Sequence, residues 1–188
     1  MKRIHYNSPV ILTFALLSLA ALLLGTVTGG WTTNHLFCVY RCSLFDPLAY
    51  VRFFGHVLGH SNWSHYAGNM LLFLLIGPPL EEKYGSKTIL GFIAITALAT
   101  GLVEFFLIPG AALLGASGVV FMMIVLSSFT QTRQGTIPLT FVLVLILYLG
   151  NEVVTGISSA DNISQLAHIV GGVCGMFFGF GYGKSGKK

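Results

Sequence analysis

Ser117 stands within Gly115-Ala116-Ser117-Gly118, where an apolar loop meets an apolar helix. A hydroxyl flanked by small residues is open to a substrate carbonyl, and it becomes a nucleophile once a base takes its proton. His168 is the base at hand. It is an ionisable ring inside the apolar run Gln165 to Tyr182, and such residues mark functional sites in membrane helices. Attack on an amide builds negative charge on the carbonyl oxygen, and donors aimed at that oxygen are often the largest single contribution to rate. His65 and Asn69, four residues apart, share one face of a helix and can donate through a ring N–H and an amide NH2, and the backbone N–H of Ser117 can join them. Each residue also has a plain structural use: small residues serve close helix packing, and lone polar groups serve interhelical hydrogen bonds. Glu104, Glu152 and Asp161 fall toward the same end of the chain's spans, but nothing in their spacing points one at His168, so the pattern reads as a dyad without a third member.

The elements that must position these groups are apolar helices. Of the 188 residues 54% are hydrophobic and only 9% charged, and the mean hydropathy is +0.81, whereas soluble chains carry about 25% charged residues. This is the composition of an integral membrane protein, long enough for one domain of roughly six spans with short connections. The spans read as Pro9–Val27, Ser64–Ile76, Thr88–Phe106, Ser117–Thr130, Ile137–Val153 and Gln165–Tyr182. Gly77-Pro78-Pro79 reads as a sharp stop to the second, followed by a short turn Glu81–Gly85. The opening Lys2-Arg3 and apolar run resemble a signal peptide, but the run exceeds the usual 7–15 residues or so and no small-residue cleavage site follows, so it is kept as a span. Gly29 to Trp63 is a long connection rich in aromatics, suited to a loop lying partly in the membrane interface. Thr155–Ser164 is a polar loop, and it and the outer end of the fifth span are the candidate movable parts for admitting a substrate.

The net charge of +4 does not indicate nucleic acid, since the basic residues are scattered and form no aromatic-interleaved patch. They report topology. With a cytoplasmic N-terminus and six alternating spans, Lys2, Arg3, Lys83, Lys87, Arg133, Lys184, Lys187 and Lys188 fall inside, while only Arg41 and Arg52 fall outside. His56, His60 and His65 lie within ten residues, but without HExxH or a nearby carboxylate base they favour loop anchoring over zinc. No metal or cofactor is implied. Cys38 and Cys42 are spaced so that pairing and freedom both stay open, while Cys174 sits among glycines as a small apolar residue.

The depth of Ser117 follows from length. Ser117 to Thr130 is about 14 residues, roughly 20 Å of helix against a hydrocarbon core of about 30 Å, so a far end at the opposite interface leaves Ser117 about 10 Å below the surface. Upstream, Leu107–Leu114 holds Pro109 and Gly110 yet almost nothing polar, and such irregular backbone at membrane depth must be buried in protein or line a wet cavity. Gly172, Gly175 and Gly179 fall within about 40° of His168 around the helix. That stripe lets a partner helix come close, and with the Ser117 helix as partner the imidazole reaches the hydroxyl.

Taken together, GASG around Ser117, HYAGN from His65 to Asn69, the preceding GHVLGHSNWSH and HIVGGVCG from His168 resemble the rhomboid family of intramembrane serine proteases, in the family's order over about 52–180. The resemblance implies an all-α integral membrane protein: a six-transmembrane-helix bundle in a single domain, 1–188, with a long, partly membrane-embedded first external loop. It implies Ser117 as nucleophile, His168 as general base, and an oxyanion site from His65, Asn69 and the Ser117 amide. The implied partners are the lipid bilayer and transmembrane protein substrates, cut near the outer end of a helix at a small residue. Two departures stand out: Val51-Arg52 replaces the usual Trp-Arg, and Phe121 replaces a frequent tyrosine as the ring on which the imidazole packs. A multi-pass protein of a prokaryotic inner membrane, with both termini cytoplasmic, is the expected setting. The competing readings are a rhomboid-like protein without activity that binds transmembrane helices, which needs neither Ser117 nor His168, and a small transporter, which would carry its polar groups at mid-span.

Overall fold

The first helix shows how local signals set the frame. Pro9 has a fixed φ and no N–H, both suited to the first helical position, and α1 spans Pro9–Val27. It ends where Gly29 and Gly30 adopt positive φ, 61° and 89°, with the Gly30 N–H returning to the carbonyl of Gly25 at 2.7 Å. The computed structural model of the chain describes residues 6–130, 137, 139–144, 146–147 and 163–185. Of the fifth predicted span only residue 137, α7, Leu139–Val144, and residues 146–147 are among these, and the predicted loop up to residue 162 lies outside them.

The long connection is not plain loop. It folds into α2 (Trp31–Leu36), the two-residue strand β1 (Val39–Tyr40), α3 (Pro47–Gly55) and a tight 3-10 turn, His56–Leu58. Asp46 caps α3, its Oδ1 accepting the Leu48 N–H at 2.9 Å. Arg52, only 1% exposed, is held there by Asp46 at 2.5 Å, by the Cys42 Sγ at 3.1 Å and by the carbonyl of His35 at 3.2 Å, with its guanidinium over the Tyr40 ring. Cys38 and Cys42 are free thiols, and burial pushes the Cys38 pKa up to about 11.

α4 runs Trp63–Tyr84, straight through Pro78 and Pro79, so the predicted stop and the separate turn Glu81–Gly85 are both overturned. Two prolines deny donors to the carbonyls one turn back, at Leu74 and Leu75, a loss that isolated helices do not survive. Here the last turn is held by what it touches. Leu80 is fully buried, and Glu81 accepts the N–H groups of Val10 and Ile11, each at 3.0 Å, together with the Ser86 hydroxyl at 2.6 Å. A carboxylate at the N-terminus of α1 answers both its unpaired donors and its dipole. Lys83 does the converse at the C-terminal end of α6 (Ser117–Ser127), donating to the carbonyls of Phe129 and Thr130.

Gly85, at φ 83°, is the whole connection between α4 and α5, which spans Ser86–Leu107. Among the described residues α1 and α5 are the two helices long and apolar enough to cross a membrane by length and composition. α6 is buried at every position from Gly118 to Leu126, as befits a helix apolar all round. It is the central post of the fold. The last helix, α8, spans Ile163–Ser185 and begins two residues before the predicted span. The one departure from an all-helical fold among the described residues is a two-residue pairing of β1 with β2 (Ala112–Leu113), Val39 opposite Leu113 and Tyr40 opposite Ala112.

Candidate active site

Ser117 is the first residue of α6 and is half-buried. The approach to it is irregular, as expected, and is buried in protein at its end: Leu113, Gly115 and Ala116 are all buried. Three fixings hold it. β2 pairs with β1, the Gly115 N–H donates to the carbonyl of His56 at 2.9 Å, and Gly115 itself sits at φ 128°, where a side chain is strained.

α6 and α8 lie backbone to backbone. A Cβ on Gly171 would overlap the carbonyl of Gly118, and one on Gly175 the carbonyl of Met122. Both pairs are offset by 53 residues (171 − 118 and 175 − 122), so the two helices run parallel with their N-terminal ends side by side. Gly171 and Gly175 are therefore the residues that α8 lays against α6, and Gly179, one turn further on, faces the Phe129 ring just past the end of α6. Gly172 is buried, but the residue against Gly118 is its neighbour Gly171. The angular count from His168 named Gly172, four residues on, whereas the residue against Gly118 is Gly171, three residues on. His168, half-buried, stacks face to face on Phe121 one turn into α6, with centroids 4.2 Å apart and planes 4° from parallel.

From the other side comes α4. The notional Cβ of Gly115 lies 2.8 Å from the His65 Nε2 and 4.0 Å from the Asn69 Nδ2, so both nitrogens border the backbone just before Ser117. Asn69 is 9% exposed, and its Nδ2 donates one hydrogen to the carbonyl of His65 at 3.1 Å, leaving the second for another acceptor. Ser117, His168, His65 and Asn69 thus gather at one end of the helices, with two amide- or imidazole-type donors beside the nucleophile candidate and a ring stacked in place across from it. A hydroxyl, an imidazole and two further donors are thereby brought to the same end of the bundle.

His56 and His60 lie behind this front. His56 bolts the first connection to α5: its Nδ1 is 3.1 Å from the carbonyl of Arg52 and its Nε2 3.2 Å from the Thr100 hydroxyl. Burial pushes the His56 pKa down to about 4, so the ring is neutral and donates from Nδ1 to the carbonyl of Arg52. His60, also lowered to about 4 by burial, packs edge-on against His65 with ring centroids 5.1 Å apart. Beside it a cavity of about 380 Å3, lined by Gly25, Thr26, Thr33, Asn34, His60 and Ser61, brings polar surface up to the start of α4. Thr100 and Ser61 were not singled out in the sequence. The signal for Ser61 was its four-residue spacing from His65.

A rhomboid domain model matches residues 47–185, most of the chain. The chain belongs to the rhomboid family. Among relatives it is similar to rhomboid-related protein 1 of Caenorhabditis elegans, 31% identical over 141 residues, covering 69% of this chain and 39% of that protein. It is also similar to rhomboid-related protein 2 of Mus musculus, 27% identical over 195 residues, covering 92% of this chain and 64% of the relative. The chain therefore spans less than two thirds of the length of either relative. The rhomboid match begins at α3 and includes every residue of the candidate site.

Proposed function

We propose that this rhomboid is an intramembrane serine endopeptidase that hydrolyses a peptide bond at or near the outer end of a substrate transmembrane helix. The observation that carries this reading is the convergence of Ser117 at the head of α6 with His168, stacked on Phe121, and with the His65 and Asn69 donors at Gly115. In this reading His168 takes the Ser117 proton as the hydroxyl attacks the carbonyl. The oxyanion is met by the His65 ring N–H, the Asn69 NH2 and the Ser117 N–H, and His168 then protonates the leaving amine. Water repeats the sequence on the acyl-enzyme. A helical substrate has its amides hydrogen-bonded, so segments weakened by Gly or Pro are cut fastest. The six-span bundle, the site facing the outer side and the termini facing the cytoplasm belong to the same proposal, supported by the distribution of Lys and Arg.

The experiment is cleavage of a model single-span substrate by purified protein, wild type against Ser117→Ala and His168→Ala. Loss of cleavage in both is expected. Cleavage that persists in both removes the dyad, and binding of the substrate helix without cleavage by wild type establishes a non-catalytic rhomboid.

A further inference from the structure

Resting on that reading, the oxyanion role asks something specific of His65: a proton on Nε2, the nitrogen that borders Gly115. A neutral imidazole carries one N–H, so Nε2 donates only if Nδ1 is bare. Nδ1 stands 3.2 Å from the Ser61 hydroxyl, and a hydroxyl can donate or accept. What decides its direction lies one residue on.

Asn62 caps α4, its Oδ1 accepting the backbone N–H of His65 at 2.9 Å. The cap fixes which way the amide faces, since only the oxygen can accept. Its Nδ2 is then turned to Ser61, 3.2 Å from Oγ, and must donate there. With the amide hydrogen on its oxygen, Ser61 keeps its own proton for Nδ1 of His65. Ser61 makes no further hydrogen bond among the described residues.

We propose that Ser61 and Asn62 are positioning residues that hold His65 as the Nε2–H tautomer through the relay Asn62 NH2 to Ser61 OH to His65 Nδ1, aiming a donor at the oxyanion. The whole device is five consecutive residues at the opening turn of α4. The helix cap and the tautomer are set by the two ends of one amide group.

The relay makes an uncommon prediction for Asn62→Asp. Aspartate caps a helix as well as asparagine, so folding is retained, but both its oxygens accept. Ser61 then donates to the new carboxylate, its oxygen is left to accept from His65, and the proton moves to Nδ1. The test uses full-length protein labelled with 15N-histidine in micelles, the His65 tautomer being read from long-range 1H–15N correlations and assigned by His65→Gln, alongside kcat and KM for the single-span substrate. Wild type is expected as Nε2–H. Ser61→Ala is expected to lose the preference, with kcat down about three- to tenfold and KM unchanged, as for loss of one hydrogen bond to the donor. Ser61→Thr is expected to restore both, and Asn62→Asp to flip the tautomer with a larger fall in kcat at an unchanged thermal midpoint. A wild-type tautomer in Asn62→Asp, a flip without loss of kcat, or a loss without a flip each overturns the relay. Cleavage persisting in Ser117→Ala would instead overturn the protease reading, and the tautomers would still judge Ser61 and Asn62.

Discussion

Gly171→Ala is the sharpest test of how the site is assembled, because it adds one methyl group at the place where α8 touches α6. The new Cβ would stand 2.8 Å from the carbonyl carbon of Gly118 and 3.1 Å from its Cα. Carbon atoms settle at about 3.5–4.0 Å, so α8 must withdraw by roughly 0.7 Å or more, and further to clear the carbonyl oxygen. His168 lies one turn above on the same helix and moves with it. A shift of about 1 Å in a reacting group costs on the order of 100-fold in rate. Stability is expected to change far less, since an overpacking cost of about 1–3 kcal/mol is partly offset by about 1 kcal/mol from replacing a helical glycine with alanine. The assay is single-turnover cleavage of a single-span substrate, with a thermal unfolding curve on the same sample. Gly181→Ala is the control, on the same helix but with open space where its Cβ would go. Cleavage by Gly171→Ala at the wild-type rate, with the fold intact, would refute the claim that backbone contact between the two helices sets the distance from Ser117 to His168.

Two other outcomes follow from groups away from the front of the site. Glu81→Ala strips the cap from α1, removing acceptors for Val10, Ile11 and Ser86. It is expected to destabilise by about 2–3 kcal/mol, as for charged hydrogen bonds, with activity per folded molecule unchanged; equilibrium unfolding beside initial rates checks both. His56 and His60 fall from an ordinary 6.5 to about 4 on folding, both through burial. A base whose folded pKa is depressed is protonated first in the unfolded chain, so stability is full above pH about 6.5 and is lost as the pH falls toward about 4. Unfolding midpoints across that window should slope less in His56→Gln and His60→Gln than in wild type, and an unchanged slope in both would contradict the assignment.

The sequence was most legible where one local signal met no tertiary opposition. Pro9 at the head and Gly29-Gly30 past the end delimit α1 at the residues expected, and Ser117 opens α6 because Gly115 releases the chain from an extended approach. Pro78 and Pro79 misled for a physical reason. Helix-breaking is a statement about an isolated helix, and here buried Leu80, the Glu81 cap and the Lys83 contacts stabilise a turn whose own hydrogen bonds are incomplete. The identity of the contact glycine was beyond angular counting, since Gly171 and Gly172 are adjacent and only the partner backbone distinguishes them. The inner structure of residues 29–63 was hidden for a similar reason. The anchors of that segment, Arg52 to the carbonyl of His35 and His56 to Thr100, join residues 17 and 44 positions apart, and spacing carries no trace of them.

Gly115 shows why these separate fixings amount to one device. Its N–H ties the approach strand to His56, hence to α5 through Thr100, and its φ of 128° turns the chain into α6. Its missing side chain leaves the space that the His65 ring fills, 2.8 Å from where a Cβ would be. Any other residue would have to displace the ring or change the turn, and either change separates the donors on α4 from the hydroxyl on α6. The glycine that looked in the sequence like a small neighbour of a serine is therefore a joint between three helices. The reach of His65 and Asn69 toward Ser117 depends on that joint as much as on their own positions.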